Sequence, residues 1–322
     1  MSLSEFDLIE HCFTCQAVSR DDVVLGVGDD CALLQPPPGQ QLAVSLDVLV
    51  AGRHFHADAE PERVGHKALA VNLSDLAAMG ARPAWATLGL TLPAIDPDWV
   101  DGFRRGFLDL AARHGLQLIG GDTTRGPLAI AVQVHGFVDP GRALRRDGAR
   151  PGDRVWMTGT LGDAALGLDC LEGRRTAAAT HRDYLRGRLE RPTPRVSQGL
   201  ALVGLASAAI DLSDGLAQDL GHILARSGVG ARLALERLPV SPALAATLDG
   251  DDRYRVQLSG GDDYELCFTV PPARLAELRA RSAAWDCAAT EIGVIEPAPG
   301  LRCLRADGTR LDLERGGYDH FA

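Results

Sequence analysis

Six aspartate-bearing segments follow a short apolar run and stand beside Gly or Ser. They are Val24-Leu25-Gly26-Val27-Gly28-Asp29-Asp30, Ala43-Val44-Ser45-Leu46-Asp47, Val71-Asn72-Leu73-Ser74-Asp75, Leu118-Ile119-Gly120-Gly121-Asp122, Ile210-Asp211-Leu212-Ser213-Asp214 and Leu258-Ser259-Gly260-Gly261-Asp262-Asp263. Apolar runs enter a core, so each carboxylate is expected where a core element surfaces. Two carboxylates about 4 Å apart repel by roughly 4 kcal/mol at an effective dielectric near 20. If the set converges on one cleft it needs cations, and an all-oxygen donor set points to Mg²⁺.

The elements that must position these residues can be read from the punctuation. Pro61 opens a helix that runs to Met79, and Gly80 ends it. At 100° per residue Gly65, Ala68, Asn72, Asp75 and Met79 share one face, small at its N-terminal end and polar beyond. Such a face suits a helix that flanks an ion or a phosphate. A second helix is predicted over 98–114, stopped by Gly115, and a short one over about 5–13. Strands are expected at 23–27, 42–46, 85–91, 116–119 and 128–138, the last two bracketing a Gly-Gly-Asp turn. Further on, the pattern predicts strands at 154–157, 254–258 and 265–270 and helices at 163–171, 193–206 and 214–226. The order suits an α/β chain of the α+β kind with a mixed sheet. The turn-rich, basic stretch 139–153 reads as a linker, giving domains 1–140 and 141–322.

Taken one at a time, these signals are weak. Asp211 and Asp214 could cap a helix, with Ser213 as an alternative cap, or place a helix N-terminus against phosphate. A Gly-Gly-Asp after a strand is common in turns. Cys12 and Cys15 form Cys-x-x-Cys, but no second pair has zinc-finger spacing. His54 and His56 lack the carboxylate partners of zinc enzymes, which leaves His54 as a substrate contact. The sole lysine, Lys67, is in Val64-Gly65-His66-Lys67-Ala68, so no P-loop exists.

Composition narrows the classes. With 322 residues, 46% of them apolar, the chain can build one large domain or two ordinary ones. A formal charge of −10 argues against a nucleic-acid partner. There is no signal-peptide pattern and no run long enough for a membrane span. Seven scattered cysteines suit free thiols in a reducing compartment, so a cytoplasmic protein is expected.

Read together, the aspartate segments resemble the thiamine-monophosphate kinase family. Gly52-Arg53-His54-Phe55, Asp122-Thr123-Thr124-Arg125-Gly126, Asp263-Tyr264-Glu265-Leu266-Cys267-Phe268 and the ending Gly317-Tyr318-Asp319-His320-Phe321 extend the likeness from about residue 5 to the C-terminus. Single pieces recur across the wider aminoimidazole ribonucleotide synthetase superfamily. The resemblance implies transfer of the ATP γ-phosphoryl group to thiamine monophosphate. It further implies two domains and a homodimer whose N-terminal sheets pair into a barrel. By the same resemblance Asp30, Ser45, Leu46, Asp47, Asp75, Asp122, Asp211 and Asp214 hold several Mg²⁺ ions. Gly121, Asp122, Arg146 and Ser213 contact ATP, with Arg146 as a charge stabiliser, while His54, Asp262 and Tyr318 contact the substrate. A monovalent cation is left open.

Two residues depart from the family pattern. Leu46 replaces a common Thr, so only its backbone carbonyl could serve a metal, and Asp262 replaces Glu. Sister synthetases of the superfamily would need a reactive Cys at a chain end or a Cys–Lys arrangement. A non-catalytic nucleotide-binding regulator would not need so full a carboxylate set.

Overall fold

The alternation Gln41–Val50 and the long apolar run Arg82–Leu92 help build the sheet that carries Asp47 and Asp122. In the computed structural model, which describes residues 13, 14 and 16–313, the chain divides into two units. They are Met1–Leu76 with Ala81–Gly141, and Ala77–Gly80 with Arg142–Ala322.

The first unit begins with a two-stranded hairpin, β1 (Val23–Leu25) and β2 (Leu33–Leu34). Then come β3 (Gln41–Val50), helix α1 (Pro61–Ala78), β4 (Arg82–Leu92), helix α2 (Pro97–Arg113), β5 (Gln117–Arg125) and β6 (Ala129–Val138). The sheet order is β3-β6-β4-β5, with only the β4/β5 pair parallel. It is an open mixed sheet, and no barrel closes among the described residues. Gly80, at φ 63°, ends α1 as expected, and the Ala81 N–H reaches back to the Leu76 carbonyl at 2.8 Å. Asp96 caps α2 by accepting from the N–H groups of Asp98 and Trp99.

The small end of α1 serves packing rather than phosphate. A Cβ on Gly65 would lie 2.0 Å from the Phe103 carbonyl oxygen, and one on Gly106 would lie 1.8 Å from that of Glu62. The two helices therefore touch backbone to backbone at reciprocal glycines, and Gly65 has no room for a ligand.

The second unit contains β7 (Arg154–Thr158), α3 (Asp163–Leu171), α4 (Ala179–Glu190), α5 (Val196–Leu202), β8 (Ala208–Leu212), α6 (Leu216–Ser227) and β9 (Gly230–Ala234). It continues with α7 (Pro242–Thr247), α8 (Gly250–Ser259), β10 (Glu265–Val270), α9 (Leu275–Ser282), β11 (Ala289–Glu296) and β12 (Gly300–Leu304). Its six strands run β12-β9-β11-β7-β10-β8, antiparallel except for β12/β9. A core including Val155, Met157, Ile210, Leu212, Leu220, Ile223 and Cys267 seats α6 on this sheet. Residues 142–153 belong to this unit, with Leu144 and Ala149 buried.

Three expectations need correction. Residues 254–258 alternate like a strand but form part of helix α8, whose acidic first turn, Asp251 and Asp252, complements the helix N-terminus. The first Gly-Gly-Asp is not a turn: β5 runs through it, with a bulge against β4 between Ala86 and Thr87. Helix 193–206 is shorter, Val196–Leu202. The helix expected at 5–13 lies almost wholly outside the described residues.

The reciprocal glycine contact sets a stability prediction. Gly106→Ala gains helix propensity but forces α1 and α2 apart, so a net loss of about 1–3 kcal/mol is expected in urea unfolding. An unchanged or higher midpoint would show that the helices tolerate a wider separation.

Candidate active site

Sequence alternation sends Ser45 and Asp47 to one face of β3 and Leu42, Val44, Leu46 and Val48 to the other, where these four are about half exposed. The inward pair meets α1. Ser45 Oγ donates to Asp75 Oδ2 at 2.5 Å, and the Asp47 N–H donates to Asn72 Oδ1 at 3.2 Å. Asn72 is held in turn, its Nδ2 donating to the Ala68 carbonyl at 3.0 Å. Burial first, and then the adjacent Asp75 carboxylate, push the Asp47 carboxyl up to about 7. Two like charges and a hydroxyl, brought together in a partly dry place, form the donor set a hard cation satisfies. The Leu46 side chain points away from this group.

Asp30 and Asp122 form a second group. They line a cavity of about 610 Å³ whose walls are Gly26–Ala32 and Leu118–Thr123, with Phe13, Thr87 and Leu88. That size fits a small-molecule ligand. Gly121 is required here: a Cβ would lie 1.9 Å from the Leu88 carbonyl oxygen. β3, which bears Asp47, and β5, which bears Asp122, are the opposite edge strands of the sheet, three strand spacings or about 14 Å apart. Among the described residues no three His, Cys, Asp or Glu side chains are placed to hold a metal on their own.

His54 lies in the turn after β3. Its Nδ1 accepts the Val50 N–H at 3.0 Å, so a neutral ring carries its proton on Nε2. Its carbonyl accepts from Nζ of Lys67 at 3.1 Å. The one lysine is thus buried support for the His54 turn, a role that composition alone did not suggest.

In the second unit two of the aspartate segments lie side by side. The N–H groups of Asp262 and Tyr264 donate to the carbonyls of Ser213 and Leu212, each at 2.8 Å. A Cβ on Gly261 would lie 2.4 Å from the Ser213 oxygen, so glycine allows the approach. Asp211 is buried at the end of β8, and Asp214 accepts from Gln218 Nε2 at 3.1 Å. The capping reading fails: Gly215 is the N-cap of α6, and no side chain caps it. Instead Asp219, one turn inside α6, accepts the N–H groups of Asp214 and Gly215 at 3.1 Å each. Burial pushes Asp219 up to about 7, and the Arg146 guanidinium is among the groups drawing it back down. The Arg146 carbonyl accepts from Ser227 Oγ at 2.9 Å.

Sequence reasoning missed Asp219 and the buried pair of acids that follow Asp262. Asp263 accepts from the Gly162 N–H, and Glu265 is bound by Thr158, Arg188 and Arg195. The run Asp262-Asp263-Tyr264-Glu265 held the signal, since acids alternating into a strand at a core need partners. Tyr318 lies outside the described residues.

Residues 28–138 match the AIR synthase related protein N-terminal domain, and residues 150–304 match its C-terminal domain. The thiamine-monophosphate kinase of Escherichia coli K12 is 51% identical over 100% of this chain and 99% of its own. The crystal structure of thiamine-monophosphate kinase from Stenotrophomonas maltophilia K279a superimposes with a TM-score of 0.88 at 49% identity, covering 97% of this chain and 99% of that one. The structure of AaThiL complexed with AMPPCP and TMP aligns with a TM-score of 0.77 at 32% identity, over 100% and 99% of the two chains. This chain belongs to the thiamine-monophosphate kinase family, within the AIR synthase related proteins.

Proposed function

We propose that the protein transfers the γ-phosphoryl group of ATP to the phosphate of thiamine monophosphate, yielding thiamine diphosphate. The observation that carries this reading is the Ser45–Asp75–Asp47 group, held by two elements of a chain that is similar to thiamine-monophosphate kinases along its whole length.

The reaction joins two anions inside an acidic protein. Mg²⁺, when bound, would supply charge neutralisation between the two phosphates. Ser45, Asp47 and Asp75, with the Leu46 carbonyl, would hold it at one place, Asp30 and Asp122 at a second, and Asp211 and Asp214 complete the set. Gly121, Asp122 and Ser213 contact ATP, and Arg146 stabilises charge on the transferring group. His54, Asp262 and Tyr318 take the substrate, Tyr318 stacking on one of its rings. The attacking phosphate oxygen is already ionised, so no residue acts as general base. Catalysis rests on positioning and preorganised charge.

The protein acts as a homodimer in this reading. The support is the row Leu42, Val44, Leu46 and Val48, four apolar side chains on one exposed sheet face. Pairing two such faces would close the barrel that one chain leaves open. Among the described residues no helix is long and apolar enough to cross a membrane.

Two experiments test these statements. Asp47→Asn should lower turnover by about 100-fold or more, read as thiamine diphosphate formed from ATP and thiamine monophosphate. Without metal the variant should melt no lower than wild type, because a buried repulsion has been removed. Near-normal Mg²⁺-dependent turnover would remove Asp47 from the site. Val44→Arg should convert a dimer to a monomer in sedimentation velocity, and a variant that stays dimeric would move the interface elsewhere.

A further inference from the structure

Among the described residues, Asp262 (φ 67°) and Tyr264 (φ 49°) are the two that are not glycine and have positive φ. Both lie in the short connection from α8 to β10, on either side of Asp263. Side chains rarely adopt such backbone, and it persists only where the surroundings over-determine it.

The surroundings do so here. The Asp263 carboxylate, fully buried, accepts the N–H groups of Gly162 at 2.7 Å and Ala164 at 3.3 Å. Glu265 accepts from Thr158 Oγ1 at 2.6 Å, from Arg195 on both oxygens at 2.7 Å, and from Arg188 at 3.0 Å. With these acids pinned on one side and the two backbone bonds to Leu212 and Ser213 on the other, residues 262 and 264 have little freedom. The product is one contact: the Tyr264 hydroxyl donates to Asp262 Oδ1 at 3.1 Å.

We propose that Tyr264 is a positioning residue for thiamine monophosphate: it orients the Asp262 carboxylate toward the substrate, on a loop whose backbone Asp263 and Glu265 fix. This rests on the reading of Asp262 as a substrate contact. An aspartate has one methylene less reach than glutamate, so its usefulness depends more on where its carboxylate is held. Without the hydroxyl the carboxylate loses the contact that the loop geometry builds for it. The loss falls on substrate binding and leaves ATP binding alone.

The test is steady-state kinetics on the full chain with Tyr264→Phe, Asp262→Ala and the double variant, each with its melting temperature. Tyr264→Phe keeps the ring, so the melting temperature and the KM for ATP should hold. Its KM for thiamine monophosphate should rise about tenfold, the scale of one hydrogen bond to a charged group. Asp262→Ala should raise it at least as much, and the double variant no further. A Tyr264→Phe protein with wild-type KM, beside an impaired Asp262→Ala, overturns the positioning role and leaves the substrate contact standing. An Asp262→Ala protein with unchanged KM removes that contact and the inference with it. Equal effects of Tyr264→Phe with and without Asp262, or a lower melting temperature with both KM values raised, also overturn it.

Discussion

A partly buried carboxylate placed against another carboxylate is the arrangement on which the first unit turns. Burial alone disfavours the Asp47 charge, and Asp75 disfavours it further, which is why its carboxyl is pushed up to about 7. Neither strand nor helix would accept this for stability's sake. The surrounding contacts nonetheless enforce it. Ser45 is tied to Asp75, and the Asp47 backbone is tied to Asn72. Such cost is expected where a cation resolves it.

The second unit solves a related problem in the opposite way. Its deeply buried acids are paired: Glu265 with two arginines, Asp263 with backbone N–H groups. These bonds spend charge on geometry, locking the loop that bears Asp262 against the loop that bears Ser213 and Asp214. The first unit thus leaves two acids to repel, while the second matches its acids fully and uses them to hold shape.

Much of this was legible in the residues. Pro61 and Gly80 marked α1 because proline and glycine act through local backbone preference. Helical spacing placed Asn72 and Asp75 together on one face of α1. What sequence could not convey was tertiary. Gly65 looked like room for a phosphate, and only the approach of Phe103 shows that a helix fills it. Residues 254–258 alternate, but packing of Gln257 and Leu258 and an acidic first turn made them helical. Gly120-Gly121-Asp122 resembled a turn because glycine is ambiguous; the Leu88 carbonyl decides that it is strand. Nor could sequence reveal that Asp47 and Asp122 stand on the opposite edge strands, β3 and β5, of one sheet.

The central claim is that paired carboxylates on β3 and α1 exist to hold a divalent ion during phosphoryl transfer. It is tested most directly by anomalous diffraction from crystals grown with Mn²⁺ in place of Mg²⁺ and a non-hydrolysable ATP analogue. The account predicts a manganese peak within direct ligand distance of the Asp47 and Asp75 carboxylates, lost in the Asp47→Asn protein. Nucleotide bound in the crystal with no metal at those two side chains would contradict it.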